Sequence, residues 1–395
     1  MKNPAGRFAL VILAAMLTQS CAGPRAVTGL ASPVQTNGDM PAIPFLIATT
    51  RTKSPTTEPP YSRDRSSMLN FSQLTVVVPA THQPGAVETS STTPDPQRQF
   101  SARDLVRLKD RNAFSSQLNA MLAKRPPSQR EVFIFVHGYN NNFAEGLFRN
   151  AQVVHDYDIT SVPIHFSWAS AGSLSGYVFD RDSALQARDG LAETIAIAAR
   201  SDANGVFVVG HSMGAYVVME ALRTLALRGK TDVTSRIRGV VLAAPDIDPD
   251  VFSSQVRDIP SLPHPFTIVV SRRDRALSVS RRITGGRPRV GSGFEIPLLQ
   301  EKNIQVIDIS DVDGGGHSGF ATSGTLMKLL GSGRLLRQLV ANQDAPGEDK
   351  AAEARQLIVD NASLVLHLPL RILKRTTGPQ PLLPRQTASD GGATQ

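Results

Sequence analysis

Short apolar runs alternate with longer segments of helical periodicity through the middle of the chain. Runs of about four to eight apolar residues are typical of buried strands, and apolar residues at every third or fourth position are typical of helices. The predicted strands are residues 44–50, 74–80, 131–136, 163–168, 206–209, 265–271 and 303–310. The predicted helices are residues 102–124, 144–157, 183–200 and 215–228, and the polar segment 53–67 is predicted to be a loop.

Strands and helices that alternate in this way favour an α/β fold, because each crossover helix covers a face of a parallel sheet. We expect one domain over residues 43–341, with a mostly parallel sheet of about eight strands and helices on both faces. Ligands of such sheets bind at the carboxyl ends of the strands, so candidate chemistry is sought there.

The turn between the predicted strand 206–209 and the predicted helix 215–228 has the sequence GHSMG around Ser212. A strand that reverses sharply into a helix strains its central residue, and small neighbours let the two arms approach each other. The serine hydroxyl then lies at the positive end of the helix, where anionic charge is stabilised. The sequence therefore predicts that Ser212 is a nucleophile.

A nucleophilic serine needs a base and an acid that orients the base. His317 follows the predicted strand 303–310 in a glycine-rich loop, and Asp274 directly follows the predicted strand 265–271. Both positions lie at carboxyl ends of strands and come after the serine in the chain, in the order typical of a serine–acid–histidine arrangement. We predict that His317 is the base and Asp274 the acid.

Three other acids compete with Asp274 for this role. The apolar run before the predicted strand 265–271 is followed by three aspartates, Asp246, Asp248 and Asp250. Some hydrolases carry their acid at the end of that earlier strand, so the pattern leaves this alternative open.

The remaining requirement is a pair of backbone N–H groups that stabilises an oxyanion. The predicted strand 131–136 runs into the sequence HGYN, in which a glycine lets the backbone amides around Tyr139 turn toward the serine. The backbone N–H of Met213, directly after the serine, supplies the second donor. His137 and His211 are interpreted as packing residues.

Five segments carry a resemblance to a known superfamily. In chain order they are FIFVHGYNNNF, FSWASAGSLSGYVFDRDSA, VVGHSMG, SRRDRAL and DVDGGGHSGF. Together they resemble the α/β-hydrolase superfamily and, more narrowly, a poorly characterised bacterial group of serine hydrolases that are often lipoproteins. The similarity runs from about residue 44 to about residue 340. It implies serine-dependent attack on carbonyl esters and an acid after the seventh strand, where Asp274 lies, but it does not define the substrate.

The first 20 residues have a short basic start followed by an apolar run too short to span a membrane, which is typical of a signal peptide. Cys21 follows them in a context similar to a bacterial lipobox, so we expect lipidation at Cys21, a tether over residues 21–42 and attachment to a membrane of the bacterial envelope. Cleavage after Ala22 is the alternative and predicts a soluble periplasmic or secreted protein.

Residues 342–395 are expected to form a C-terminal extension, partly disordered, with a helix over about residues 349–374. The formal net charge is +8, and no nucleic-acid motif accompanies it, so a cationic surface facing anionic lipids is the preferred interpretation. Asp311 and Asp313 begin a pattern similar to a calcium loop, but the later oxygen ligands are missing. We predict neither a metal nor a cofactor.

These features predict a serine hydrolase, most simply a carboxylesterase acting on a small-molecule or lipid ester through an acyl-enzyme intermediate. An amidase or peptidase, an acyltransferase, and a non-catalytic envelope lipoprotein are the alternatives. The sequence does not define the physiological substrate, the acyl-chain length or the oligomeric state.

Overall fold

The structure is a computed structural model that describes residues 25–31, 40–293, 299, 302–330 and 365–367. The predicted signal peptide, Cys21, most of the tether and most of the C-terminal extension lie outside the described residues. No helix of the described part is both long enough and apolar enough to cross a membrane.

A ten-stranded sheet organises the described chain. Its strands are β1 (Ala42–Lys53), β2 (Tyr61–Val77), β3 (Ser101–Leu108), β4 (Glu131–Val136), β5 (Val162–Ser167), β6 (Gly205–His211), β7 (Ile237–Ala243), β8 (Phe266–Val270), β9 (Gln305–Asp308) and β10 (Val365–His367). Their order across the sheet is β10-β9-β8-β7-β6-β4-β5-β1-β2-β3. The seven strands from β9 to β1 are mutually parallel, and antiparallel pairing adds β10 at one edge and β2 and β3 at the other.

From β3 onward, the helices of the described part alternate with the strands along the chain. They are α1 (Arg111–Ala123), α2 (Phe143–Asp156), α3 (Tyr177–Ala199), α4 (Met213–Leu227), α5 (Thr231–Thr234), α6 (Pro249–Arg257), α7 (Arg275–Ile283), α8 (Gly319–Thr322) and α9 (Gly324–Leu330).

The core has two layers, one on each face of the sheet. In β4, Val132 and Ile134 belong to the larger cluster, with residues of α1, α3, α4 and α6, whereas Phe133 and Phe135 belong to the second cluster, with residues of α2. Successive side chains of a strand point to opposite faces, so a strand covered on both faces is apolar throughout. The predicted α/β fold with helices on both faces is confirmed, although the sheet has ten strands rather than about eight.

The prediction was wrong at the antiparallel edge of the sheet. β2 begins at Tyr61, inside the segment predicted to be a loop, and its polar first half pairs with the end of β1 through two register shifts. β3 occupies residues predicted to be the start of a helix, and α1 begins only at Arg111, where the Asp110 side chain caps it. Backbone pairing with a neighbouring strand stabilises such exposed strands whatever their apolar pattern, so local periodicity does not reveal them.

Two further expectations need correction. Residues 25–31, assigned to a tether, pack on the domain: Ala26 and Thr28 are buried, and the Thr28 carbonyl accepts a hydrogen bond of 2.7 Å from Ala102 N. The described part of the predicted helix 349–374 is the strand β10, which pairs with β9. In both places a long-range contact determines the conformation.

Candidate active site

Ser212 lies at the abrupt turn between β6 and α4. Its backbone angles are φ 55° and ψ −122°, in a region that non-glycine residues rarely adopt. The turn is held because Ser212 N donates a 2.9 Å hydrogen bond to the Ala243 carbonyl, and Asp246 N donates one of 3.2 Å to the Ser212 carbonyl. Strain of this kind is maintained only where the surroundings enforce it, and it is concentrated at functional sites.

The glycines of the motif are required by close backbone contacts. A Cβ atom on Gly214 would lie 2.3 Å from the His137 carbonyl oxygen, and one on Gly210 would lie 2.8 Å from Ala215 Cα. The sequence prediction of a sharp strand-to-helix turn therefore has a steric basis: a side chain on Gly214 would collide with the end of β4, and one on Gly210 would collide with the start of α4.

The loop after β4 lies directly beside the serine. A Cβ atom on Gly138 would lie 3.0 Å from Ser212 Cβ, so the backbone of this loop passes next to the serine side chain. In the described part of the chain, the backbone N–H groups of Tyr139 and Met213 make no hydrogen bond. Met213 opens α4, where N–H groups have no acceptor within the helix. Two unpaired amides thus flank Ser212.

His317 and Asp274 form a hydrogen-bonded pair at the same edge of the sheet. His317 Nδ1 lies 2.7 Å from Asp274 Oδ2, and Asp274 Oδ1 accepts a hydrogen bond of 2.9 Å from Leu277 N at the start of α7. The Asp274 side chain is fully buried, whereas 23% of the His317 side chain is exposed. The structure therefore brings together the predicted base and acid from loops 43 residues apart.

The loop that carries His317 is fixed by contacts around Ser212. The His211 ring lies 4.7 Å from the His317 ring, and His211 Nε2 is 3.2 Å from the His317 carbonyl oxygen. Burial and the neighbouring His317 hold the pKa of His211 well below its usual range, so His211 is neutral and can donate to that carbonyl. Among the described residues, nothing is hydrogen-bonded to the Ser212 side chain, a common finding before substrate tightens such contacts.

The competing acids are engaged elsewhere. Asp246 accepts hydrogen bonds from Tyr177 (3.0 Å) and Ser280 (2.6 Å), and its Oδ1 lies 3.0 Å from Arg289 Nε in a buried ion pair that is not aligned as a hydrogen bond. Asp248 caps α6. Asp248 and Asp250 both form ion pairs with Arg287. Within the described structure, none of the three aspartates contacts His317.

Comparison with protein families places this geometry in a known context. Residues 110–334 match the model of a family described as an alpha/beta hydrolase of unknown function (DUF900). This match spans more than half of the chain and includes Tyr139, Ser212, Asp274 and His317. The chain belongs to this α/β-hydrolase family. No curated protein matches it.

Solved structures similar to this hydrolase include several esterases. Esterase B from Lactobacillus rhamnosis is 13% identical, with 56% of this chain and 80% of that chain covered and a TM-score of 0.35. An esterase from Pyrobaculum calidifontis is 10% identical (70% and 82% covered, TM-score 0.34), and the esterases from Rhizomucor miehei are 13% identical (69% and 81% covered, TM-score 0.33). Similarity at this level carries no argument about the substrate.

His137 packs beneath the loop after β4 in this hydrolase. Its ring stacks on Trp168 at 5.1 Å, its Nδ1 lies 2.9 Å from the Gly138 carbonyl oxygen, and its own carbonyl accepts a 2.7 Å hydrogen bond from Trp168 Nε1. Burial and the nearby Arg51 cation lower the pKa of His137 to about 3. These are the contacts of a packing residue, which is the interpretation that the sequence favoured. Trp168 is likewise fully buried.

A buried arginine, which the sequence analysis missed, holds the same loop from below. Arg51, at the end of β1, donates hydrogen bonds to Ser167 Oγ (2.9 Å), to the Asn141 carbonyl (2.9 Å) and to the Ser170 carbonyl (3.0 Å). Burial lowers its pKa to about 10, although the nearby Asp180 carboxylate opposes this shift. In the sequence, Arg51 is an arginine at the end of an apolar strand, a position that is ordinarily interpreted as exposed.

Asp180 completes this support. Its carboxylate accepts hydrogen bonds from Ala171 N (2.6 Å), Ser170 Oγ (2.6 Å) and Asn140 N (3.3 Å). Asp180 belongs to the segment FSWASAGSLSGYVFDRDSA, which carried part of the resemblance. It fixes the backbone at Asn140, directly after Tyr139.

A surface cleft of about 780 Å³ between β2 and α3 is separate from these residues. Its lining includes Met68, Arg188 and Arg228, but not Ser212, Asp274 or His317. The candidate chemistry of the hydrolase is therefore at the carboxyl edge of the sheet and not in this cleft.

Proposed function

We propose that this protein is a serine hydrolase that cleaves carboxylic esters, with Ser212 as nucleophile, His317 as base and Asp274 as the acid that orients His317. The observation that carries the proposal is the 2.7 Å contact between His317 Nδ1 and buried Asp274 at the strand edge that carries the strained Ser212. An α/β-hydrolase family membership is consistent with it but defines neither the nucleophile nor the substrate.

In the acylation step, Ser212 Oγ attacks the ester carbonyl carbon and His317 Nε2 takes the hydroxyl proton. The Asp274 carboxylate accepts the His317 Nδ1–H, which selects the tautomer with a free Nε2 and stabilises the imidazolium that forms. The negative charge moves to the carbonyl oxygen, where the N–H groups of Met213 and Tyr139 donate to it. The C–O bond to the alcohol then breaks, and His317 returns its proton to the leaving oxygen.

Deacylation repeats the sequence with water. His317 Nε2 takes a proton from water, the hydroxide attacks the acyl carbon, and the same two amides stabilise the second oxyanion. Collapse breaks the bond to Ser212 Oγ, which regains its proton from His317. The products are one carboxylic acid and one alcohol, and no cofactor is consumed.

The proposal is tested with Ser212→Ala and a graded series of p-nitrophenyl esters. We expect turnover to fall by about 10⁴-fold or more, because the covalent route is lost. Labelling by a fluorophosphonate probe, which bonds to an activated serine oxygen, should also disappear. The matched control is Ser175→Ala, an exposed serine of the nearby loop. Wild-type labelling of the Ser212→Ala chain would reject Ser212 as the nucleophile.

We also propose that acylation at Cys21 anchors the hydrolase to a membrane of the envelope. Arg25, four positions after Cys21, donates a 2.8 Å hydrogen bond to the Asn140 carbonyl beside the proposed oxyanion amides. Four residues span at most about 14 Å, so such an anchor would hold this edge of the sheet close to the lipid surface. Mass spectrometry of the mature N-terminus tests this: an unmodified start at Gly23 would contradict it.

A further inference from the structure

Two histidines and an aspartate meet about the end of α2, away from the proposed active site. His82 lies in the loop after β2, and His155 and Asp156 are the last residues of α2. His82 Nε2 is 2.8 Å from Asp156 Oδ1, and His155 Nδ1 is 3.0 Å from the same oxygen. These three atoms all lie within 4.8 Å of one another.

The donor set is one that divalent transition metals use. Imidazole nitrogen and carboxylate oxygen suit zinc, with bond lengths of about 2.0–2.2 Å. Two such ligands at a tetrahedral angle lie about 3.3 Å apart. The two contacts to Asp156 Oδ1, at 2.8 Å and 3.0 Å, are a few tenths of an ångström shorter than this, and the third separation is within 4.8 Å. His155 is exposed at the protein surface, so its side chain can rotate to adjust these separations.

Glu88 supplies the second contact that metal-binding histidines usually have. Glu88 Oε2 lies 2.9 Å from His82 Nδ1, and Glu88 Oε1 is itself held by Gln83 N at 2.9 Å. A carboxylate on the distal nitrogen fixes the tautomer and orients the ring toward a metal. Both nitrogens of His82 thus face carboxylate oxygens, Nδ1 that of Glu88 and Nε2 that of Asp156.

We propose that His82 Nε2, His155 Nδ1 and Asp156 Oδ1 form a binding site for one zinc-like divalent cation. The carboxylates of Glu88 and Asp156 carry two negative charges and the histidines bind as neutral ligands, so the charge of a divalent ion balances these two carboxylates.

The site has a connection to the proposed active site through Gln152. Asp156 Oδ2 accepts hydrogen bonds of 2.6 Å from Gln152 Nε2 and from Gly85 N, and Gln152 Nε2 also donates to the Ala321 carbonyl at 2.9 Å. Ala321 belongs to α8, which directly follows the loop of His317. A cation on Asp156 would therefore stiffen the base of that loop. The proposal itself does not depend on the hydrolase reaction.

The test is zinc binding by the full chain after removal of metals with a chelator. Isothermal titration with Zn²⁺ should give one site per chain, and elemental analysis after dialysis should give one zinc atom. The Tm should rise with the free zinc concentration, because a ligand of the folded state stabilises that state. His155→Ala should weaken binding by at least about 10-fold, since it removes one of three protein ligands.

His155 is the best position for the variant because it is exposed and its loss leaves the core intact. The matched control is His264→Ala, which removes another exposed histidine and should bind zinc like the wild type. Absence of stoichiometric binding by the wild type would overturn the proposal and leave the cluster as a hydrogen-bonded ion-pair network. Equal affinity of the wild type and His155→Ala would overturn it as well.

Discussion

The His317–Asp274 and His82–Asp156 pairs are nearly equal in length but differ in what surrounds the second ring nitrogen of the histidine. His317 Nδ1 lies 2.7 Å from Asp274, and His82 Nε2 lies 2.8 Å from Asp156. The other nitrogen of His82 lies 2.9 Å from Glu88, whereas the other nitrogen of His317 has no hydrogen-bond partner among the described residues.

This difference separates two uses of one interaction. A histidine with one nitrogen held and the other free can exchange a proton with a reactant, as a general base must. A histidine with both nitrogens held by carboxylates cannot do so without breaking a contact, and it serves as a structural tie or as a metal ligand. The number of carboxylates around the ring, not the length of either contact, distinguishes the two sites.

The test with the largest expected effect replaces His317 and His82, each in a separate variant, with alanine. His317→Ala should lower ester turnover by about 10⁴-fold or more and leave stability nearly unchanged, because the ring carries the proton transfer. His82→Ala, assayed without added metal, should keep most of its turnover but destabilise the fold by about 1–3 kcal/mol, because buried Asp156 loses a hydrogen-bond partner. Kinetics and urea unfolding of both variants measure this. Equal loss of turnover in both would contradict the division of roles.

The next test concerns the carboxylates. Asp274→Asn should reduce turnover by about 10²–10⁴-fold with the fold retained, since the His317 ring loses its orienting acceptor and counter-charge. Asp246→Asn is the comparison, because it leaves the buried Arg289 cation without its ion-pair partner and should act mainly on stability. Turnover and the urea midpoint are measured for both. A nearly silent Asp274→Asn beside an inactive but folded Asp246→Asn would move the acid to the end of β7.

The smallest expected effect concerns a third kind of histidine, which has no carboxylate at all. His165 is fully buried, neither ring nitrogen has a hydrogen-bond partner in the described structure, and burial holds its pKa well below the usual range. As the pH falls below about 6.5, the unfolded chain takes up a proton at this residue that the folded chain does not. Stability is therefore lost at up to about 1.4 kcal/mol per pH unit for each such group.

His165→Leu should remove this contribution, so stability should fall less steeply between pH 6.5 and pH 5 than in the wild type. At pH 7 the substitution should be close to neutral, because it replaces polar atoms that have no partner with apolar ones. Urea unfolding across this pH range measures the slope. An unchanged slope would mean that His165 gains a proton in the folded state after all.

The local sequence was sufficient to predict those parts of the fold whose conformation depends on residues of the same short segment. The GHSMG turn could be predicted because Gly210 and Gly214 are required by contacts that every turn of this kind makes. Gly210 lies against the start of the following helix, and Gly214 lies against the end of the neighbouring strand. The buried strands β4 and β6 were recognisable because a strand covered on both faces must be apolar throughout. The order serine, aspartate, histidine followed from the order of the strand ends.

The sequence by itself thus determined the fold class, the strained serine turn and a short set of candidate acids and bases. Only the tertiary structure decided which aspartate contacts His317, because Asp246 and Asp274 both follow strands. The folded chain brings Arg289, Tyr177 and Ser280 to Asp246. It brings His317 to Asp274. The edge strands, the packed residues 25–31 and the buried Arg51 were also decided there. Each depends on partners far away in the chain, and local periodicity contains no information about contacts at that separation.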